Sequence, residues 1–279
     1  LPALEIHLKT QIFGQDAVIE KVMNSLRSYQ KRAEVLEKTG ESIIPGLTAS
    51  GDLLPHFLFI GESGAGKTYF AKVLAQELFG AKEPSLEILD MAGKTATAII
   101  QGVHMGYVGY EEMPPFIQCV NKFHDQGVIV FDEFTRLRST HGMENLADRL
   151  TGFYPVFDRC FTPNNAKFAN QDRYFVFPNT LLIFSGNVYD PNHTEMQVIN
   201  PLGFTPIQEL GRSFLARFQE PFFFRALTSH EIPQAMEFFM NKSLKTYLKR
   251  LNTVKQIQWL DTLPLRLSEI FAEKNLPPV

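Results

Sequence analysis

Gly61-Glu62-Ser63-Gly64-Ala65-Gly66-Lys67-Thr68 is the stretch from which the fold can be read. Its spacing is G-x-x-x-x-G-K-[ST], in which glycines let consecutive backbone N–H groups converge on a phosphate without side-chain clash. The apolar run Phe57-Leu58-Phe59-Ile60 precedes it, and the pattern predicts a helix from about Lys67 to Phe79 that ends at Gly80. A strand, a glycine-rich turn and a helix in that order aim a helix N-terminus, with its partial positive charge, at the phosphate. Lys67 is expected to reach the β- and γ-phosphates, and Thr68 to offer its hydroxyl to Mg²⁺. The alternative, a Gly/Ser turn that matches by chance, lacks a reason for the flanking strand and helix.

Further along, Val128-Ile129-Val130-Phe131 delivers two adjacent carboxylates, Asp132 and Glu133, at its C-terminal end. Ligands of open α/β sheets bind at that edge. Asp132 is therefore expected to hold Mg²⁺ through its water shell, and Glu133 to orient and polarise an attacking water. Another run, Thr180-Leu181-Leu182-Ile183-Phe184, ends in Ser185-Gly186-Asn187. Gly-Asn alone is commonly a turn. Beside the acidic strand, the Asn187 amide suits a hydrogen bond to the γ-phosphate or the water. Within Leu210–Phe218, Arg217 is the candidate arginine finger, a cation inserted into a neighbouring subunit's site. A surface salt bridge is the alternative. In Gly106-Tyr107-Val108-Gly109-Tyr110-Glu111-Glu112, two glycines around aromatics predict an exposed tip, or else a turn with its Tyr packed inward.

Around these motifs, Val18, Ile19, Val22, Met23 and Leu26 recur at helical spacing and predict a helix from Asp16 to about Leu36, capped by Asp16. Residues 37–55 read as a long loop. Leu86–Asp90, Val128–Phe131, Thr180–Phe184 and Pro221–Phe224 have the character of buried strands, and a helix is expected over Ser229–Leu251. Strands alternating with helices imply an α/β sandwich with a largely parallel sheet. The 279 residues suit one large domain and a smaller companion, divided near 225: 1–225 and 226–279.

Composition excludes several classes. Hydrophobic residues make 44% and charged residues 20%, and no apolar run approaches the ~20 residues of a membrane span. A net charge of −3 supplies no global basic field for nucleic acid or anionic lipid. Two cysteines, Cys119 and Cys160, suit a reducing compartment, and the seven histidines show no metal-ligand spacing. The 25 phenylalanines stand out against 8 Tyr and 1 Trp. Only Phe57, Phe59, Phe131, Phe184 and Phe222–Phe224 fall in expected strands.

Taken together, the motifs resemble the AAA+ ATPase modules of the Clp family of protein unfoldases and disaggregases, most of all the second nucleotide-binding module of its tandem-module members. Ile12-Phe13-Gly14-Gln15-Asp16-Ala17 is similar to the family's segment flanking adenine, Gly106–Glu112 to its pore loop, and Phe214–Phe218 to its finger segment. The phosphate loop (Walker A) and the acidic strand (Walker B) fall between them in the expected order, and the similarity runs over residues 4–279. The resemblance implies a five-stranded parallel sheet of order 5-1-4-3-2, a helical lid and a ring of six subunits. It further implies adenine contacts from Ile12, Phe13 and Ile232, a sensor-1 role for Asn187, and a channel-facing pore loop with Tyr107, Val108 and Tyr110. The cofactors implied are ATP and Mg²⁺.

The sequence also departs from the family. Where the finger segment usually reads Pro-Glu-Phe-Leu-Asn-Arg, here it is Arg212-Ser213-Phe214-Leu215-Ala216-Arg217. Residues 159–173 stand where a second pore loop belongs but share little with it. The lid's sensor-2 motif is missing, and Asn275–Val279 resembles the residues just before it, so a truncated lid is expected. Leu202-Gly203-Phe204 resembles a protease-docking tripeptide but falls on the helix before the finger, which makes a protease partner unlikely on this pattern. The expected function is ATP hydrolysis in a cytoplasmic homohexamer that unfolds, threads or remodels polypeptide, with no nucleic-acid or membrane partner. The alternatives are a remodeller of one protein assembly, for instance in secretion, and a nucleic-acid motor, which the acidic end of the pore loop argues against.

Overall fold

The computed structural model describes residues 2–39, 54–80, 85–139, 142–168, 174–190 and 204–251. Most of the loop expected at 37–55, the end of the 159–173 segment, Leu202 and Gly203, and the lid sequence from 252 onward lie outside the described residues.

Five parallel strands form the central sheet: β1 (His56–Gly61), β2 (Leu86–Asp90), β3 (Val128–Asp132), β4 (Leu181–Gly186) and β5 (Pro221–Phe224). Their order is β2-β3-β4-β1-β5, the expected 5-1-4-3-2. The continuous apolar runs conceal a period of two. Phe57, Phe59, Val128, Val130, Leu181, Ile183, Phe222 and Phe224 face one core, with α1 (Pro2–Gln11), α2 (Asp16–Thr39) and α3 (Lys67–Phe79). Leu58, Ile60, Ile129, Phe131, Leu182 and Phe184 face the other. That second core is closed by α4 (Ala96–Ile100), α5 (Pro115–Lys122), α6 (Leu146–Leu150), α7 (Tyr154–Phe157) and α8 (Arg212–Leu215). A sheet covered on both faces needs apolar side chains at every position, which is why no alternation is visible in the sequence.

The second core explains most of the phenylalanine excess. Phe116, Phe153, Phe157, Phe161, Phe175, Phe177, Phe214 and Phe218 join Phe131 and Phe184 there in one network of edge-on and tilted rings. Such pairs favour offset or edge-to-face geometry and add about 0.5–1.5 kcal/mol each beyond burial. None of the eight lies in a strand of the central sheet.

Two expectations are corrected. β2 is an edge strand, and it is not buried: Ile88 is 44% exposed, whereas β5 at the other edge keeps Phe222 and Phe224 in the core that α2 covers. Asp16 stands inside the first turn of α2 and does not cap it; the Ile19 N–H donates to the carbonyl of Gln15, whose side chain is used elsewhere. At the end of α3, Gly80 has a positive φ of 84° but an extended ψ, so the chain leaves the helix without a left-handed turn.

The last described element is α9 (Glu231–Leu251). Thr228 and Glu231 form its start: the Glu231 carboxylate accepts from the Thr228 N–H at 2.8 Å and from the Thr228 hydroxyl at 2.9 Å. This is the reaching-back half of a capping box.

Candidate nucleotide site

Register places the motifs. Ile60 pairs with Gly186, Ser185 with Asp132, and Gly61 with Phe224, so the phosphate loop, the acidic pair and Asn187 leave the sheet at one edge. Gly61 has no tolerance for a side chain, because a Cβ there would lie 2.1 Å from the Phe224 carbonyl oxygen. Gly64 and Gly66 hold φ of +81° and +90°, a region that side chains disfavour, and the space beside them is open. Gly66 is also the N-cap of α3 and makes no side-chain cap, which leaves the helix's first N–H groups facing the loop.

A cavity of about 200 Å³ opens there, lined by Ser63, Gly64, Gly66, Lys67, Thr68, Tyr69, Asp132, Glu133 and Asn187. Lys67 Nζ donates to the carbonyls of Gly61 at 2.9 Å and Glu62 at 2.7 Å, and lies 3.4 Å from Asn187 Oδ1. Burial lowers the Lys67 pKa to about 8, opposed by the nearby charges of Asp132, Glu133 and Glu62. Asp132 Oδ1 accepts the Glu133 N–H at 3.1 Å. Glu133 adopts a left-handed backbone, φ 52° and ψ 35°, uncommon for a residue with a side chain.

The donor set fits a magnesium nucleotide. Thr68 and Asp132 offer hard oxygen donors, Lys67 and the loop N–H groups offer positive charge, and the open glycine cradle leaves room for phosphate. Tyr69 is a member of this wall that the motif does not name. Its hydroxyl lies 3.5 Å from Gln11 Oε1 and 3.1 Å from Lys242 Nζ of α9.

The remaining expected residues outside the phosphate loop, Ile12, Phe13, Ile232 and Arg217, do not line this cavity. Gln15 ties the Ile12–Ala17 segment down: its Nε2 donates to the carbonyls of Arg225 at 2.7 Å and Ala65 at 3.3 Å. Ile12 is buried in the core beside α1 and α2, whereas Phe13 is half-buried and meets Phe238 of α9 with ring centres 5.5 Å apart. Ile232 is half-buried on the first turn of α9. Arg225 grips Glu231 through two bonds of 2.8 and 2.6 Å, joining the end of β5 to α9. Arg217 stacks on Tyr154.

At the aromatic loop, Tyr107 is 71% exposed and Val108 fully so. Tyr110 is half-buried, and its carbonyl accepts the Asn165 side-chain N–H at 2.9 Å. The described part of 159–173 braces this loop. Asn164 bonds to the carbonyls of Gln101 and Gly102, and Lys167 pairs with Glu111.

A five-stranded parallel sheet of this order, with a phosphate loop, an acidic pair and a polar amide at one edge, defines an AAA+ P-loop ATPase module. Residues 52–244 match the family model of the AAA domain (Cdc48 subfamily). The chain belongs to that family, as a Clp-type AAA+ module. Among its relatives, the chaperone protein ClpB of Clostridium tetani (strain Massachusetts / E88) is 26% identical over 260 residues, covering 89% of this chain and 27% of that protein. The ATP-dependent Clp protease ATP-binding subunit ClpE of Bacillus subtilis (strain 168) is 32% identical over 135 residues, 48% of this chain and 17% of its own length. A closed-state reconstruction of Hsp104 with ATPγS and FITC casein has the same fold, with a TM-score of 0.64 at 20% identity over 95% of this chain and 42% of that one. The chain thus spans less than a third of these curated relatives' length.

Proposed function

We propose that this module binds and hydrolyses ATP in a homohexameric ring and uses the cycle to unfold, thread or remodel polypeptide. The gathering of Lys67, Thr68, Asp132, Glu133 and Asn187 around one cavity supports hydrolysis. The observation that carries the polypeptide reading is the projecting Tyr107-Val108 pair, an apolar grip that needs no sequence match. The Hsp104 relative's bound casein and ATPγS are in keeping with both.

Thr68 and Asp132 would hold Mg²⁺ with the nucleotide, and the bound ion would supply neutralisation of phosphate charge. Lys67 and the loop N–H groups hold the phosphates. Glu133 accepts a hydrogen bond from the attacking water and aligns it, and Asn187 fixes the terminal phosphate or that water. Arg217 acts on the neighbouring subunit's site. Ile12, Phe13 and Ile232 flank the adenine. Catalysis then rests on positioning and charge neutralisation, with no covalent enzyme intermediate.

The module divides near residue 225 on this reading, with Gln15 and the Arg225–Glu231 pair at the joint. It works in the cytoplasm, in keeping with two free thiols, Cys119 and Cys160; among the described residues no helix is long and apolar enough to cross a membrane. Turnover measured with unfolded casein and with DNA tests the reading. Stimulation by casein alone is expected, and stimulation by DNA alone overturns it.

A further inference from the structure

Arg217 stands on a seam between two short helices that carry buried aromatic rings. On α8 and the turn that follows it, Phe214 and Phe218 are buried, and the Arg217 N–H donates to the Phe214 carbonyl at 3.1 Å. On α7, Val156 and Phe157 are buried, with Phe153 buried just before the helix starts. The rings of Phe157 and Phe218 meet edge-on with centres 5.4 Å apart, and those of Phe157 and Phe214 at 5.8 Å, so the two helices are locked together. Tyr154, the first residue of α7, is half-buried and packs against the same core. The Arg217 guanidinium lies over its ring, 3.7 Å from the centre, and 5.5 Å from that of Phe157.

The cation is held without an acid. Among the described residues no carboxylate pairs with Arg217; its one hydrogen bond runs from Nη1 to the Ser213 carbonyl at 3.3 Å, and its Nε is buried without a partner. Ser213 and Ala216, on the same stretch, bring no charge, and Glu220, the next acid along the chain, pairs with Lys21. The difference between the two ways of holding an arginine is chemical. A carboxylate would occupy the forked N–H donors and neutralise the charge. A ring face attracts the cation through its quadrupole, fixes the guanidinium plane, and leaves the terminal donors at the edge of that plane open.

We propose that Tyr154 is a positioning residue for the arginine finger. Its ring sets the plane of the Arg217 guanidinium with the charge intact, so that the terminal N–H groups meet the neighbouring subunit's phosphate already oriented. The proposal rests on the reading of Arg217 as the finger. It adds to the reaction a side chain that carries no motif signal and touches neither nucleotide nor polypeptide.

The test measures ATP turnover in the full-length protein for Tyr154→Leu, Tyr154→Phe, Arg217→Ala and the double variant of Tyr154→Leu with Arg217→Ala. Tyr154→Leu should lower kcat by about three- to thirtyfold, the span that a cation–π contact controls, with KM for ATP unchanged. Tyr154→Phe keeps the ring face and should retain the wild-type kcat. On top of Arg217→Ala, Tyr154→Leu should bring no further loss, because it acts only through the cation. A residue that merely supported the fold would lower turnover by the same factor in both backgrounds. Leucine keeps apolar bulk at this half-buried position, so the core beneath stays covered. Wild-type kcat in Tyr154→Leu, a Tyr154→Phe as slow as Tyr154→Leu, or equal losses with and without Arg217 would each overturn the positioning role. The two claims fail differently: normal turnover in Arg217→Ala removes the finger itself, whereas a slow Arg217→Ala beside an unchanged Tyr154→Leu refutes the positioning alone.

Discussion

The guanidinium of Arg217 lies 3.7 Å from the ring centre of Tyr154. It is also 5.5 Å from Phe157, donates to the Ser213 carbonyl at 3.3 Å, and has a buried Nε with no hydrogen-bond partner. Phe157 and Phe218 belong to the aromatic core, so the packing beneath the sheet sets where the cation stands. A stacked cation is held in place by the ring, while the terminal N–H donors beyond the exposed Ser213 bond can still bond outward.

Arg217→Ala should therefore bind nucleotide normally and lose about 10³-fold in turnover, as expected for a finger. The trans role gives a sharper check. Mixing Arg217→Ala subunits with Glu133→Gln subunits creates some interfaces with both groups intact. Turnover well above that of either variant alone is expected, and a strictly additive mixture would show that the residue acts within its own subunit.

Glu133→Gln should retain ATP and turn it over about 10²–10⁴-fold more slowly, the span for a lost general base. Lys67→Ala should instead lose binding by at least about tenfold, because a charge-assisted contact contributes about 1.5–3 kcal/mol. Fluorescent-nucleotide titration beside steady-state turnover distinguishes the two. Weak binding in Glu133→Gln would count against its place in the chemistry.

Tyr107→Ala removes an exposed side chain, so both ATP turnover and the thermal midpoint should be preserved while polypeptide unfolding is lost. Val108→Asp should act in the same direction by putting a charge on the apolar tip. An unfolding assay with a fluorescent client reads this directly, and an unaltered unfolding rate in Tyr107→Ala removes the grip from the mechanism.

Glu231 makes a pH signature. Hydrogen bonds from Arg225, followed by those from Thr228, hold its carboxyl at about 2 against an ordinary 4.5. A pKa lowered by folding means stability that is complete above about 4.5 and is lost as pH falls towards 2. Glu231→Gln should cost about 1 kcal/mol near neutrality, seen as a small drop in Tm. That gap should narrow between pH 4.5 and pH 2, where the wild type loses the same ionic contacts. A gap independent of pH would mean that the cap, and not the charge, carries the effect.

The legibility of the molecule follows the range of its interactions. The phosphate loop, the acidic pair and the other four strands are local patterns, each set by a few adjacent residues. β2 misled because burial of a strand depends on what covers it, which the strand's own residues do not record. Tyr69 carries no motif signal at all; its hydroxyl meets Gln11 and Lys242, residues far from it in the chain. Arg159 has no local signature either. It lies fully buried where a second pore loop was expected, bonding the carbonyls of Thr180 and Leu54 and His56 Nδ1 beneath the ring of Phe177.

By itself the sequence determined the fold class and the nucleotide chemistry, because a phosphate loop requires particular residues at fixed spacing beside a strand and a helix. The strand order followed once the family was recognised. Only the tertiary structure decided how distant pieces are joined: Gln15 between the phosphate loop and β5, and Arg217 on Tyr154 beside the aromatic core. Those links join residues far apart in the chain. Packing, which acts on the whole chain at once, is what brings them within reach.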